Sequence, residues 1–99
     1  MKESAIEARL VKGVKALGGR AYKFVSPGNV GMPDRLVILP DRPPLFVELK
    51  TETGRLSKRQ LYQIAQLERL GQSGKVRVLY GMADVKDFLT EMERGGDAP

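Results

Sequence analysis

Three residues of this chain have types and spacing that could do chemistry together: Asp34, Glu48 and Lys50. In the run Leu45-Phe46-Val47-Glu48-Leu49-Lys50, an extended backbone sends Leu45, Val47 and Leu49 to one side and Phe46, Glu48 and Lys50 to the other. Glu48 and Lys50 then share a face, ~7 Å apart by the rise of a strand. Both residue types are depleted in strands, so an apolar strand carrying the two needs a reason. The plainest is a mild ion pair on a wet face. Asp34 points elsewhere. It opens the apolar run Arg35 to Leu39, and if that run pairs with Leu45 to Thr51 as a hairpin, the entry of the first lies near the exit of the second. Two carboxylates converging there repel one another unless a proton or a cation compensates. Mg²⁺ suits such a place, being held by one or two carboxylates while keeping several waters. The backbone carbonyl of Leu49 is a further oxygen within reach. Lys50 can orient and help deprotonate an attacking water, or neutralise charge growing on phosphorane oxygens. A cation polarises the phosphate and lowers the pKa of bound water. Together these meet the needs of phosphodiester hydrolysis.

The elements that must position these residues are readable from periodicity and punctuation. Ser4 to Leu17 has Ile6, Leu10, Val14 and Leu17 at helical spacing, and Gly18-Gly19 is a helix stop. Arg20 to Ser26 alternates as a half-buried strand, and Pro27 to Pro33 is a loop by its Pro, Gly and Asn content. Leu36 to Leu39 reads as a strand covered on both faces, joined by Asp41-Arg42-Pro43-Pro44 to the strand Leu45 to Thr51. A second helix starts with a Ser57/Gln60 capping box, with Leu61, Ile64, Ala65 and Leu67 expected on its buried side. Gly71 to Gly74 ends it, Lys75 to Tyr80 makes a fourth strand, and Val85 to Met92 a last helix behind Asp84. The order αβββαβα is an α/β arrangement, one mixed sheet flanked by helices, in a single domain over residues 1–94 with a frayed tail at 95–99.

Absences narrow the chemistry. The chain has no cysteine and no histidine, which removes thiol nucleophiles, zinc knuckles and the commonest general base. What is left is carboxylates, lysine, arginine, hydroxyls and a hard, oxygen-loving metal. With no tryptophan, three tyrosines and three phenylalanines, an aromatic platform for stacking bases is not expected. A net charge of +5 over 99 residues suits a polyanionic partner, since Lys and Arg displace counterions from phosphates. No apolar run approaches the ~20 residues that span a bilayer, and a cytoplasmic location is expected.

At this point the residues resemble a known family. Pro33-Asp34, then Glu48-Leu49-Lys50 after a hairpin, looks like the PD-(D/E)xK signature of restriction-endonuclease-like nucleases. The fuller pattern is more specific: Ser26-Pro27-Gly28 through Pro33-Asp34-Arg35, then Phe46 to Lys50, then Gly54-Arg55-Leu56-Ser57 to Gln60. It is similar to the VRR-NUC group, found in phages, bacteria and eukaryotic repair nucleases. The resemblance implies a restriction-endonuclease-like αβββαβ core with a four-stranded mixed sheet, and an endonuclease dependent on Mg²⁺ or Mn²⁺. It implies a DNA substrate that is branched, such as a four-way junction, cut by a homodimer, with a helicase or repair partner in some members. Asp34 and Glu48 would be metal ligands and Lys50 the catalytic lysine. Glu7 matches a helical acidic residue that holds metal directly or through water, and Gln60 matches a glutamine of the motif. Tyr62 is a further candidate near the site. Phosphate contacts are expected from Arg35, Arg55, Lys58 and Arg59, the last three gathered where a helix N-terminus also favours anions. The alternatives are a nicking or sequence-tolerant nuclease and, in another class, a basic DNA-binding module without catalysis.

Overall fold

In the computed structural model, which describes residues 2–95, the chain forms α1 (Glu3–Ala16), β1 (Arg20–Lys23), β2 (Arg35–Ile38), β3 (Leu45–Lys50), α2 (Lys58–Leu67), β4 (Val76–Tyr80) and α3 (Gly81–Glu93). The strands lie in the order β1-β2-β3-β4, the first three antiparallel and β4 parallel to β3. Such a parallel pair needs a crossover, and α2 is that crossover. This is the α/β order read from the sequence. The expected tail falls almost wholly outside the described residues.

One face of the sheet carries the core. Ile6, Leu10 and Val14 of α1 and Val85, Phe88, Leu89 and Met92 of α3 close over Val37, Leu45, Val47, Leu49 and Leu79. The helical stripe of α1 is therefore where its spacing put it, with Leu17 packed at the margin, and Gly18 turns the chain out at φ 88°. Arg77 joins β4 to α3 from the same face. Its guanidinium lies 5.3 Å from the Phe88 ring centre and bonds Glu91 at 2.8 Å.

Three expectations change. The strand β2 is buried on one face only: Arg35 and Val37 are covered, while Leu36 and Ile38 are half-open. The second helix has no buried residue at all, and Leu61 and Tyr62 are more than half exposed. An apolar stripe at helical spacing shows that a face wants cover, but not that the same chain supplies it. Finally, α3 starts at Gly81, before the expected cap. Asp84 acts from within the first turn, its carboxylate accepting the Tyr80 N–H at 2.8 Å.

Strand β1 is also shorter than its alternating pattern. Its partner β2 begins only at Arg35, so the last bond between them is the Phe24 N–H to the Asp34 carbonyl, 2.9 Å. Beyond it the chain leaves the sheet through the Ser26–Pro33 loop. That loop is pinned against α2: Gln63 donates to the Val30 carbonyl at 3.3 Å. Gly31, at φ 98°, lies so close to the Arg59 backbone that an added Cβ would sit 2.6 Å from it. Gly31→Ala is therefore expected to push the start of α2 away. A lower melting temperature than wild type is the expected result, read by a thermal scan of the two proteins side by side.

Candidate active site

Continuing the β2–β3 register past Arg35↔Val47 sets Asp34 opposite Glu48 and Pro33 opposite Leu49. Both carboxylates stand on the face away from α1 and α3, at the end of the hairpin. Proline at 33 has a specific consequence. In an antiparallel pair of this register, residue 33 would donate its N–H to the Leu49 carbonyl, and proline has none. The Leu49 oxygen thus faces the site without a ladder partner from β2, beside the two carboxylates.

Glu48 is 7% exposed, and its carboxyl pKa is pushed up to about 7. Burial is the main cause, followed by the charge of Asp34. The Lys50 ammonium and a hydrogen bond from the Asp34 backbone N–H act the other way, and the charge of Glu3 adds a little to the rise. Lys50 Nζ lies 4.0 Å from Glu48 Oε2. Asp34 Oδ1 is buried without any hydrogen-bond partner. A buried carboxylate oxygen without a donor, next to a carboxyl reluctant to ionise, is a place where a cation lowers the energy. Among the described residues no three acidic, histidine or cysteine side chains are gathered as a ready-made nest. The candidate donors are two carboxylates and a main-chain carbonyl, all hard oxygens. That fits a hard cation such as Mg²⁺, which binds few protein ligands and keeps its waters.

Gln60 turns out to serve structure and site at once. Its Oε1 accepts the Ser57 N–H at 2.8 Å, and its own N–H bonds Ser57 Oγ at 3.1 Å, completing the capping box. Its Nε2 donates to Glu48 Oε2 at 3.1 Å. The first turn of α2 is thereby tied to the acidic pair. Arg55, Lys58 and Arg59, in and just before that turn, are exposed. Tyr62, on the same helix, is 59% exposed and packs no core.

Two assignments are corrected. Arg35, expected to reach phosphate, is buried. It shares the strand face of Val37, and its Nη1 donates to the Ala21 carbonyl at 3.0 Å while Nη2 meets Glu7 Oε2 at 2.8 Å. Glu7, expected beside the metal, is instead held by Arg35 and, at 3.7 Å, by Lys23. Its carboxyl is lowered chiefly by the hydrogen bond from Arg35. The helical acid whose charge reaches Glu48 is Glu3, one turn earlier. A sequence signal for the buried pair existed: Arg35 lies two residues from core Val37, and Glu7 three from core Leu10. The pair fastens α1 to the strand that carries Asp34. Its two halves are not equivalent, since Glu7 keeps access to water and Arg35 does not. Glu7→Ala, which strands a buried guanidinium, is expected to cost about 3 kcal/mol. Arg35→Leu, which lets Glu7 rehydrate, should cost clearly less. Urea unfolding of the two variants gives the comparison.

An αβββαβ core with an acidic pair and a lysine at the end of its central hairpin defines a restriction-endonuclease-like nuclease domain. A solved VRR_NUC domain has this fold, with a TM-score of 0.80 and 29% identity over 89% of this chain and 94% of that one. No family profile matches the chain. The protein named "Putative nuclease p44", from Acyrthosiphon pisum secondary endosymbiont phage 1, is 48% identical over 71 residues, covering 72% of this chain and 76% of its own. The chain belongs to the VRR-NUC family of nucleases.

Proposed function

We infer that this nuclease is a divalent-metal-dependent endonuclease that hydrolyses phosphodiester bonds in branched DNA, four-way junctions foremost, as a homodimer. The observation that carries the reading is the buried acidic pair, with Asp34 Oδ1 unpartnered and Glu48 held near neutrality by burial and by its neighbour. Asp34, Glu48 and the Leu49 carbonyl would hold Mg²⁺ or Mn²⁺. Bound there, such an ion supplies neutralisation of the scissile phosphate and a water of lowered pKa. Lys50, at the mouth of the pair, offers its ammonium to the attacking water or to the non-bridging phosphate oxygens as the new P–O bond forms and the old one breaks. Gln60 fixes the Glu48 carboxylate and aligns α2. Arg55, Lys58 and Arg59 hold flanking phosphates, which carry no sequence information. That matches an enzyme choosing substrates by shape.

One such centre cuts one strand, so paired incision calls for two symmetry-related sites. The uncovered residues of α2 and the turn after it, Leu61, Tyr62 and Leu70, support a second copy as their cover. No helix among the described residues is long and apolar enough to cross a membrane. The test is end-labelled four-way junction against linear duplex, each with Mg²⁺, Mn²⁺ or EDTA. Metal-dependent cutting that favours the junction is the expected result. Equal cutting of both would remove the branch preference, and DNA binding without cutting in either metal would leave a binding module.

A further inference from the structure

We propose that the cavity beside β1 is a subsite for one unpaired nucleotide of the cut strand, with Tyr22 stacking its base and Lys15 and Arg20 holding its phosphate. The cavity measures about 530 Å³ and is lined by the last turn of α1 and the turn after it, by β1, and by the end of β2 with the two residues that follow it. Its walls are of three kinds. Tyr22 supplies an exposed aromatic ring; Ile38 and Pro40 supply an apolar wall; Lys15 and Arg20 supply charge. Neither cation has an acidic partner among the described residues. A flat ring with an apolar wall and two cations unpaired among the described residues is the chemistry that holds a base by its π-face and its phosphate by charge. An ion-pairing network would have spent those charges, and a packing role would have buried the ring.

The near wall of the cavity, Tyr22, ties it to the acidic pair, while Arg20, Ile38 and Pro40 lie further from Asp34, at the other end of the β1–β2 ladder. Ala21 is buried on the core face, so its neighbours Arg20 and Tyr22 point to the other face, the one carrying Asp34 and Glu48. Tyr22 lies opposite Leu36, and two residues further on, just past β1, the Phe24 N–H donates to the Asp34 carbonyl. That is a step of about 7 Å along the strand, with β1 the immediate neighbour of the strand bearing Asp34. A DNA strand crossing the carboxylates towards β1 reaches Tyr22 roughly a nucleotide or two later. The ring can stack only on a base that has left its duplex, so the cavity favours a flap, or a four-way junction that unpairs a base at its centre on binding, close to the cut. The inference rests on the nuclease reading above and sharpens it: the branch is recognised through a base rather than through backbone shape alone. A single ring is no stacking platform, and the aromatic-poor composition stands.

The test uses a branched DNA with 2-aminopurine at successive unpaired positions flanking the branch, bound by the full chain in Ca²⁺. With wild type and Tyr22→Phe, one position should show a marked fluorescence change on binding. With Tyr22→Ala that change should vanish and affinity fall by roughly fivefold or more. Linear duplex affinity should barely move. Lys15→Gln with Arg20→Gln should flatten the salt dependence of binding to the branched DNA. Tyr22 is more than half exposed, so its variants are expected to melt with wild type, which a thermal scan verifies. If Tyr22→Ala binds the branched DNA within twofold of wild type and keeps the fluorescence change, the subsite is refuted while the nuclease reading stands. If wild type binds no branched DNA at all, that reading falls and the subsite with it.

Discussion

Lys50→Ala is expected to slow cleavage by about 10²–10³-fold while leaving affinity for DNA and for Mn²⁺ within a few-fold of wild type. The reasoning is positional. Lys50 shares the strand face of Glu48 with its Nζ 4.0 Å from Oε2, too long for a strong bond and close enough for charge to be felt. It is largely enclosed, at 20% side-chain exposure, so its charge acts in a medium poorer than water. A group so placed matters most when charge appears on phosphate oxygens. Its loss should therefore lower kcat and kcat/KM alike, with KM little changed. Single-turnover rates at saturating enzyme, paired with filter binding, separate the two effects. A variant that cuts at the wild-type rate, or that loses DNA binding in proportion to rate, would give Lys50 a different role.

Glu48→Gln should abolish cleavage and yet stabilise the metal-free protein above neutral pH. The folded-state pKa of Glu48, about 7, lies above its ordinary value of 4.5, because burial and Asp34 penalise the charged form. The folded protein therefore binds the proton more tightly than the unfolded chain. The resulting stability is fully present below pH 4.5 and is lost as pH rises through about 7. By then the loss is on the order of 2–3 kcal/mol. Glutamine has no proton to lose, can still accept from Gln60, and has an amide that can donate towards the orphaned Asp34 oxygen. The variant and wild type should melt alike near pH 4.5, with the variant higher by roughly 10 °C at pH 8 in EDTA. Saturating Mn²⁺ should narrow that gap from the wild-type side. A variant less stable than wild type at pH 8 would show that burial does not strain Glu48.

How much of this was legible in the sequence differs from residue to residue. The triplet was readable because strand alternation puts Glu48 and Lys50 on one face, and because a short hairpin leaves few places for Asp34. Gln60 was readable as a cap three residues after Ser57, but its second bond, to Glu48, depends on where α2 lands. Pro33 looked like loop punctuation. Its meaning, a missing donor opposite Leu49, appears only once the register is fixed. Arg35 reads as a phosphate contact and Glu7, through the resemblance, as an acid beside the metal, because the sequence does not show that the two opposite charges meet between a helix and the sheet. The stripe on α2 was correctly apolar and wrongly assumed to be covered. Periodicity reports what a helix face needs, and tertiary structure decides whether it is met.

Asp34 and Glu48 are proposed to hold together a divalent cation on which cleavage depends. The most direct measurement is Mn²⁺ binding to wild type and to Asp34→Asn, followed by electron paramagnetic resonance of the free ion. Wild type should take up Mn²⁺ with an affinity matching the metal concentration at which DNA cutting sets in, and Asp34→Asn should leave the ion free while keeping the wild-type fold. Equal uptake by both proteins, or cutting that proceeds with no Mn²⁺ bound, would show that the acidic pair holds no cation on which cleavage depends.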